Sequence, residues 1–184
     1  MTDIYLVRHG EAAASWGQSP DPGLSELGHA QARSAAQALR SLLAGAVPEL
    51  VSSPMARTLE TAAPLAGELG LKVQVNEAFR EIQAPVPLAE RQTWLRQFMA
   101  QRWEEQPESL HSWRDQPRRA LLTLPTPTVI FTHFLVINAV IGQIRGEEAT
   151  LCCWPDNGSI THLRRGDNGL QLVALGEQMK TVVN

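Results

Sequence analysis

Leu6-Val7-Arg8-His9-Gly10-Glu11 is the stretch on which the reading of this chain turns. With the two residues before it, the run Ile4-Tyr5-Leu6-Val7 predicts a buried strand that stops where charge and glycine begin. Arg8 and His9 then emerge at the strand's C-terminal end, the edge at which open α/β sheets hold their ligands. An arginine beside a histidine serves a salt-bridged loop as well as a reactive site, so other segments must separate the two readings.

The same pattern recurs twice. Leu50-Val51-Ser52-Ser53-Pro54 predicts a short strand and turn, followed by a helix with Arg57 in its first turn. Thr128-Val129-Ile130-Phe131-Thr132 predicts another strand, ending at His133 and leading into an apolar helix from Phe134 to Gly142. In a parallel sheet these ends share one edge, so Arg8, His9, Arg57 and His133 are expected in one crevice. Such a cluster calls for an anion, and the N-termini of the following helices add N–H donors and positive dipole ends.

The chain resembles the histidine phosphatase superfamily, also called the phosphoglycerate-mutase-like family. Four segments carry the resemblance: LVRHGE at 6–11, LSELGHAQA at 24–32, SSPMARTLETA at 52–62 and IFTH at 130–133. They stand in the family's order. The resemblance implies a phosphomonoester hydrolase that forms a phosphohistidine on His9, with His133 stabilising the transferring group and water releasing phosphate. It implies Arg8, His9, Arg57 and His133 as phosphate-binding residues; no cofactor is expected, and the two arginines beside His9 and His133 argue against a metal there. The residue types suit that chemistry. Phosphoryl transfer asks for positioning and positive charge around the equatorial oxygens. Arginines give permanent, two-pronged charge. A neutral imidazole is a competent nucleophile once a carbonyl fixes its tautomer, and Gly10 lets the backbone approach for that contact.

The leaving oxygen needs a proton. Glu81, in Phe79-Arg80-Glu81-Ile82, follows an expected strand at Leu71–Val75 and resembles the family's acid/base glutamate in position. It could instead pair with Arg80 or another arginine; Glu11 is the rival acid, read here as a structural partner for one of the arginines. Two departures from the family stand out. The loop Ala12-Ala13-Ala14-Ser15-Trp16-Gly17-Gln18 lacks the Trp-Asn pair common among relatives, and Phe134 replaces the glycine usual after the second histidine, adding bulk at the mouth or turning into the core.

Composition bounds the rest. A chain of 184 residues suits a single domain spanning 1–184, and no composition break or repeat divides it. The net charge of −3 argues against nucleic acid and acidic membranes as partners. No expected signal or membrane span leaves the cytoplasm as the expected location. Adjacent Cys152 and Cys153 are read as reduced thiols. His9, His29, His111, His133 and His162 show no metal-ligand spacing.

Between about 84 and 124 lies a helical cap-like insertion. Trp94, Leu95, Phe98, Met99 and Trp103 predict one helix, and Leu110, Trp113, Ala120 and Leu121 a second. Their aromatics pack onto the sheet or select substrate, and Arg91, Arg96, Arg114, Arg118 and Arg119 reach a second phosphate or form a solvated face. Ser159–Leu163 and Leu170–Leu175 flank an expected hairpin turn; Asn157-Gly158 reads as another tight turn, and the resemblance lets Asn157 approach the phosphate. The expected fold is a three-layer α/β/α sandwich with a mainly parallel central sheet. The expected activity is hydrolysis of a small phosphorylated metabolite. A mutase, a protein phosphohistidine phosphatase and a non-catalytic phospholigand module are the alternatives, and oligomeric state stays open.

Overall fold

Alternating apolar side chains along the central strands divide between two cores, and this division sets the layers. The computed structural model describes residues 1–14 and 18–179. Ile4 and Leu6 of β1 (Thr2–Arg8), Val51 of β2 (Glu49–Ser52) and Ile130 of β4 (Thr128–Thr132) point to one face. There they meet Val136, Ile137, Val140 and Ile141 of α5 (Phe134–Arg145). Tyr5, Val7, Leu50, Val129 and Phe131 point to the other face, against α1 (Glu26–Leu43) and α2 (Ala56–Leu69). Helices cover both faces of the sheet's centre, and β4 is buried at every position, its apolar Val129–Phe131 flanked by threonines whose hydroxyls are hydrogen-bonded.

The sheet order is β3-β2-β4-β1-β5-β6. The pairs β3·β2, β2·β4 and β4·β1 are parallel, whereas β5 (Ile160–Gly166) and β6 (Gly169–Ala174) add an antiparallel hairpin at the β1 side. The result is the expected mainly parallel sheet between helical layers. Arg8 pairs with Thr132 and Ser52 with Phe131, so the reactive ends lie level. The ladder runs one residue further, with His9 N–H donating to the Thr132 carbonyl (3.1 Å) and Ser53 N–H to that of Phe131 (3.0 Å). Because α1 and α5 leave neighbouring strands toward opposite faces, a crevice opens between the ends of β1 and β4.

Two boundaries differ from expectation. The strand expected at Leu71–Val75 is only Val73–Val75, β3, because Leu71 N–H closes the end of α2 on the Ala66 carbonyl at 3.1 Å. Helix α5 runs through Gly142 to Arg145 and stops at Gly146, whose φ of 69° ends it. The expected helices of the 84–124 region are α3 (Arg91–Met99) and α4 (Glu108–Leu122). Leu95, Phe98, Trp103 and Leu110 share a buried cluster with Phe134, Leu135 and Ala139 of α5, so the aromatics here are packing residues.

Candidate active site

His9 follows β1 directly and is 5% exposed. Its Nδ1 lies 2.6 Å from the Gly10 carbonyl oxygen, which can only accept, so Nδ1 carries the proton. Nε2 accepts from Arg57 Nε at 3.3 Å and is therefore the nitrogen with the lone pair. Two independent contacts thus fix one tautomer of a neutral imidazole. Burial, followed by the charges of Arg57 and Arg8, holds His9 well below the usual histidine range, against the opposing hydrogen bond to Gly10.

His133 precedes α5 and is fully buried, its ring edge-on to that of His9 with centroids 5.4 Å apart. Its Nε2 is 2.7 Å from Ser53 Oγ, while its Nδ1 is buried without a hydrogen-bond partner. Ser53 Oγ already accepts from Met55 N–H at 3.4 Å, and the buried hydroxyl satisfies its own proton by donating to Nε2. The proton of His133 then sits on Nδ1, a free donor. Burial and the nearby charges of Arg57, Arg8 and Arg91 hold His133 well below the usual histidine range as well.

Arg8 closes the opposite side. It donates from Nη1 to the Pro155 carbonyl (2.9 Å) and to Met179 Sδ (3.3 Å), and its guanidinium stands 5.1 Å over the Phe134 ring. Its Nε, like Nδ1 of His133, is buried without a partner. Burial lowers the Arg8 pKa to about 10, offset in part by Glu81 and Asp156, which leaves it charged at neutral pH. Arg57 is 4% exposed and its pKa is likewise lowered, chiefly by burial. The buried, unpartnered donors of Arg8 and His133, together with the Arg57 guanidinium, make a site for a tetrahedral oxyanion.

Glu81 is 7% exposed, although it follows a loop. Its Oε1 accepts from Ile82 N–H (3.0 Å) and its Oε2 from Leu135 N–H (3.2 Å) in the first turn of α5. Burial outweighs these bonds and the pull of Arg57 and Arg91, so its pKa is raised. The segment is held from both sides: Thr132 Oγ1 donates to the Phe79 carbonyl (2.8 Å) and Trp113 Nε1 to that of Arg80 (2.9 Å). Glu81 makes no ion pair with Arg80, whose partner is Glu77 at 3.3 Å. A cavity of about 240 Å³ opens between Glu81 and Arg57, and a second of about 400 Å³ reaches Arg8, His9 and Asn157 from the other side.

The reading of Glu11 as an arginine's partner is corrected. Among the described residues its carboxylate makes no ion pair; it accepts from Ser25 Oγ at 2.8 Å, the residue that caps α1. Glu11 therefore ties the loop after β1 to α1. Gly10 is small for a second reason besides its carbonyl contact: a Cβ there would collide with the Gly28 carbonyl. Asn157 approaches the site but holds its backbone, donating from Nδ2 to the His9 carbonyl at 3.1 Å, beside Gly158 at φ 74°. Phe134 turns into the core, 4% exposed, and carries Arg8 on its face. Ser15, Trp16 and Gly17 lie outside the described residues. Sequence reasoning missed Ser53, Thr132 and Trp113. Only Ser53 had a signal, as the residue after a strand end in line with Arg8 and His133.

The model of the histidine phosphatase superfamily (branch 1) matches residues 4–178. Over 168 residues the chain is 30% identical to "Probable phosphoglycerate mutase GpmB" of Erwinia tasmaniensis, covering 79% of this chain and 76% of that protein. The mycobacterial glucosyl-3-phosphoglycerate phosphatase superposes with a TM-score of 0.74 at 22% identity, covering 97% of this chain and 100% of that one. Phosphoserine phosphatase from Entamoeba histolytica gives a TM-score of 0.72 at 23% identity, over 97% and 98% of the two chains. At these identities the structural matches establish a shared fold.

Proposed function

Because the chain belongs to the histidine phosphatase superfamily, we propose that it hydrolyses phosphomonoesters through a phosphohistidine on His9. One observation carries the reading: Nε2 of a buried, neutral His9 is its unprotonated nitrogen, and it faces Arg57 among otherwise unpartnered donors of Arg8 and His133. The guanidinium of Arg57 exchanges His9 Nε2 for a phosphoryl oxygen when substrate enters, which frees the lone pair to attack. As the N–P bond forms, the ester P–O bond breaks. The departing oxygen takes the proton of Glu81, whose raised pKa favours the acid form. Arg8, Arg57 and the Nδ1–H of His133 hold the equatorial oxygens through the transfer. Water then attacks phosphorus, Glu81 takes back a proton, the N–P bond breaks and its electrons return to Nε2. Phosphate leaves.

The fold neighbours named phosphatases and the small cavity on the leaving-group side support a small phosphorylated metabolite as substrate. A second reading, return of the phosphoryl group to another hydroxyl, is favoured by the relative named as a mutase. Hydrolysis needs only that water take the place of the departed leaving group, and the cavity between Glu81 and Arg57 admits it beside the carboxylate that takes its proton. Phosphorus NMR of a reaction with a three-carbon phosphomonoester separates the two. Inorganic phosphate as the product, abolished in His9→Ala, supports hydrolysis; accumulation of a positional isomer without free phosphate moves the assignment to the mutase reading.

A further inference from the structure

The two cysteines of the chain are neighbours, Cys152 and Cys153, on the segment that runs from α5 toward the Pro155 carbonyl. In an extended segment adjacent side chains point to opposite sides, but here both thiols turn to one residue of α5, the buried Asn138. Cys152 Sγ is 3.6 Å from the Asn138 carbonyl oxygen, and Cys153 Sγ is 3.5 Å from its Oδ1. The same Oδ1 accepts both backbone N–H groups, that of Cys152 at 2.8 Å and that of Cys153 at 3.0 Å. Cys152 is half-buried and Cys153 buried. The Cys153 thiol holds that of Cys152 below the usual thiol range, against burial and Glu147 and with help from Arg145 and Arg114. The same contact, with burial, pushes Cys153 up. A partly accessible, more acidic thiol beside a protonated one is the arrangement of a reactive cysteine and its resolving partner.

We propose that Cys152 and Cys153 form a hydroperoxide-sensitive dithiol that closes to a disulfide and, in closing, loosens the hold of Pro155 on Arg8. The Cys152 thiolate attacks one oxygen of hydrogen peroxide, the O–O bond breaks, and the hydroxide released is protonated to water, leaving a sulfenic acid. The Cys153 sulfur then attacks that sulfur and gives up its proton, the S–O bond breaks and a second water departs. Two thiols are oxidised to one disulfide while one peroxide is reduced to two waters. Adjacent Cα atoms are about 3.8 Å apart, closer than the roughly 4.4–6.8 Å of an unstrained disulfide, so closure must twist the backbone of the pair. The twist pulls the two N–H groups off Asn138 Oδ1 and passes directly to the next residues. Trp154 packs its ring 5.7 Å from that of Phe134, on which Arg8 stands, and the Pro155 carbonyl accepts from Arg8 Nη1 at 2.9 Å. Strained disulfides are the readily reduced ones, so a thiol reductant reopens this one. The dithiol chemistry is independent of the phosphatase reading; only its effect on turnover rests on it.

Counting alkylatable thiols in denaturant tests the chemistry, and no third cysteine competes. With a slight excess of hydrogen peroxide the native chain is expected to pass from two alkylatable thiols to none without joining a second chain, and to regain both in dithiothreitol. Cys153→Ser is expected to stop at a sulfenic acid on Cys152 that dimedone traps, and Cys152→Ser to keep its remaining thiol. A disulfide between two chains, a sulfenic or sulfinic acid on the native chain in place of the disulfide, or loss of the Cys153 thiol in Cys152→Ser at the native rate overturns the proposal. Hydrogen exchange reads the coupling: on oxidation the amides of Cys152, Cys153 and Gly158, the last a donor to the Arg8 carbonyl at 2.9 Å, are expected to exchange faster. A disulfide that leaves the Gly158 exchange unchanged overturns the coupling to Arg8. Turnover of p-nitrophenyl phosphate is expected to fall about tenfold or more on oxidation, the scale on which misplacing a clamping group slows a reaction, and to recover in dithiothreitol. The double variant Cys152→Ser, Cys153→Ser is expected to keep its turnover under the same peroxide, which separates the dithiol from oxidation of Met179 beside Arg8. Equal loss in both chains overturns the switch. No turnover by the reduced chain retires the phosphatase reading alone, and thiol count and exchange then decide the switch.

Discussion

At the scale of single residues, burial works against the charged forms of two histidines and one glutamate, lowering the pKa of His9 and His133 and raising that of Glu81. For His9 and His133 the native pKa is depressed, so unfolded imidazoles bind protons that the folded ones refuse. Stability conferred by these rings is present above about pH 6.5 and is lost as pH falls below it, by up to about 1.4 kcal/mol per pH unit for each ring until its native pKa is reached. Urea unfolding between pH 7.5 and 5.5 should therefore show a steeper loss for the native chain than for His133→Gln. Glu81 has the opposite sign. Its raised pKa keeps the acid form above the ordinary carboxylate range, so kcat for an alkyl phosphate declines as pH rises through that value. Glu81→Gln should remove this alkaline limb and slow alkyl phosphates by ~10²-fold or more, while an aryl phosphate, whose leaving group needs little proton, slows far less. Equal slowing of both would leave Glu81 a structural role. Arg8, His9 and His133 stand at or just past strand ends and Arg57 in the helix that follows one, so their convergence could be expected from the sequence pattern, whereas Glu81, beyond β3 and a further turn, was singled out by resemblance. The role of Glu11 was not legible, since its partner, Ser25, caps a helix fourteen residues on, and a carboxylate beside arginines gives no hint of that.

At the scale of elements, the reactive loop is clamped between β1, α1 and the Asn157-Gly158 turn. A Cβ on Gly28 would strike the Glu11 carbonyl, so Gly28→Ala must push α1 away from the loop that carries His9. The expected cost is about 1–3 kcal/mol of stability, with slower turnover, because overpacked backbone cannot yield cheaply. Gly67, inside α2, has open space where its Cβ would lie, and Gly67→Ala should gain about 0.5–1 kcal/mol and leave the site alone. Thermal melts and kcat of the two variants check the contrast. The element pattern was largely readable from apolar runs, because β1, β2 and β4 are buried on both faces and interrupted by turn residues. Boundaries were less so: the end of α2 captured Leu71 from the expected strand through a backbone bond that no side-chain pattern encodes. The bonds from Thr132 to Phe79 and from Trp113 to Arg80 were hidden for a like reason, since they reach carbonyls more than thirty residues away.

At the scale of the whole molecule, a chain of net charge −3 concentrates a buried arginine, Arg57, a half-buried one, Arg8, and two buried histidines at one crevice of its sheet. The native state should therefore bind inorganic phosphate where the unfolded chain does not. At a phosphate concentration a hundredfold above its dissociation constant the fold gains about 2.7 kcal/mol, seen as a rise in melting temperature that Arg57→Ala abolishes. The sequence exposed the convergence because parallel strands carry their C-terminal ends to one edge whatever their separation along the chain. It could not expose the convergence of the Cys152 and Cys153 thiols on Asn138, because only the packed structure shows which side of that segment meets α5. The account stands or falls on covalent chemistry at His9. Brief incubation with an activated phosphomonoester, a quench into denaturant at alkaline pH and intact-mass measurement should reveal an adduct of one phosphoryl group on the native chain, lost on later acidification, and none on His9→Ala. Phosphate release without any adduct, or an adduct that persists in His9→Ala, would contradict it.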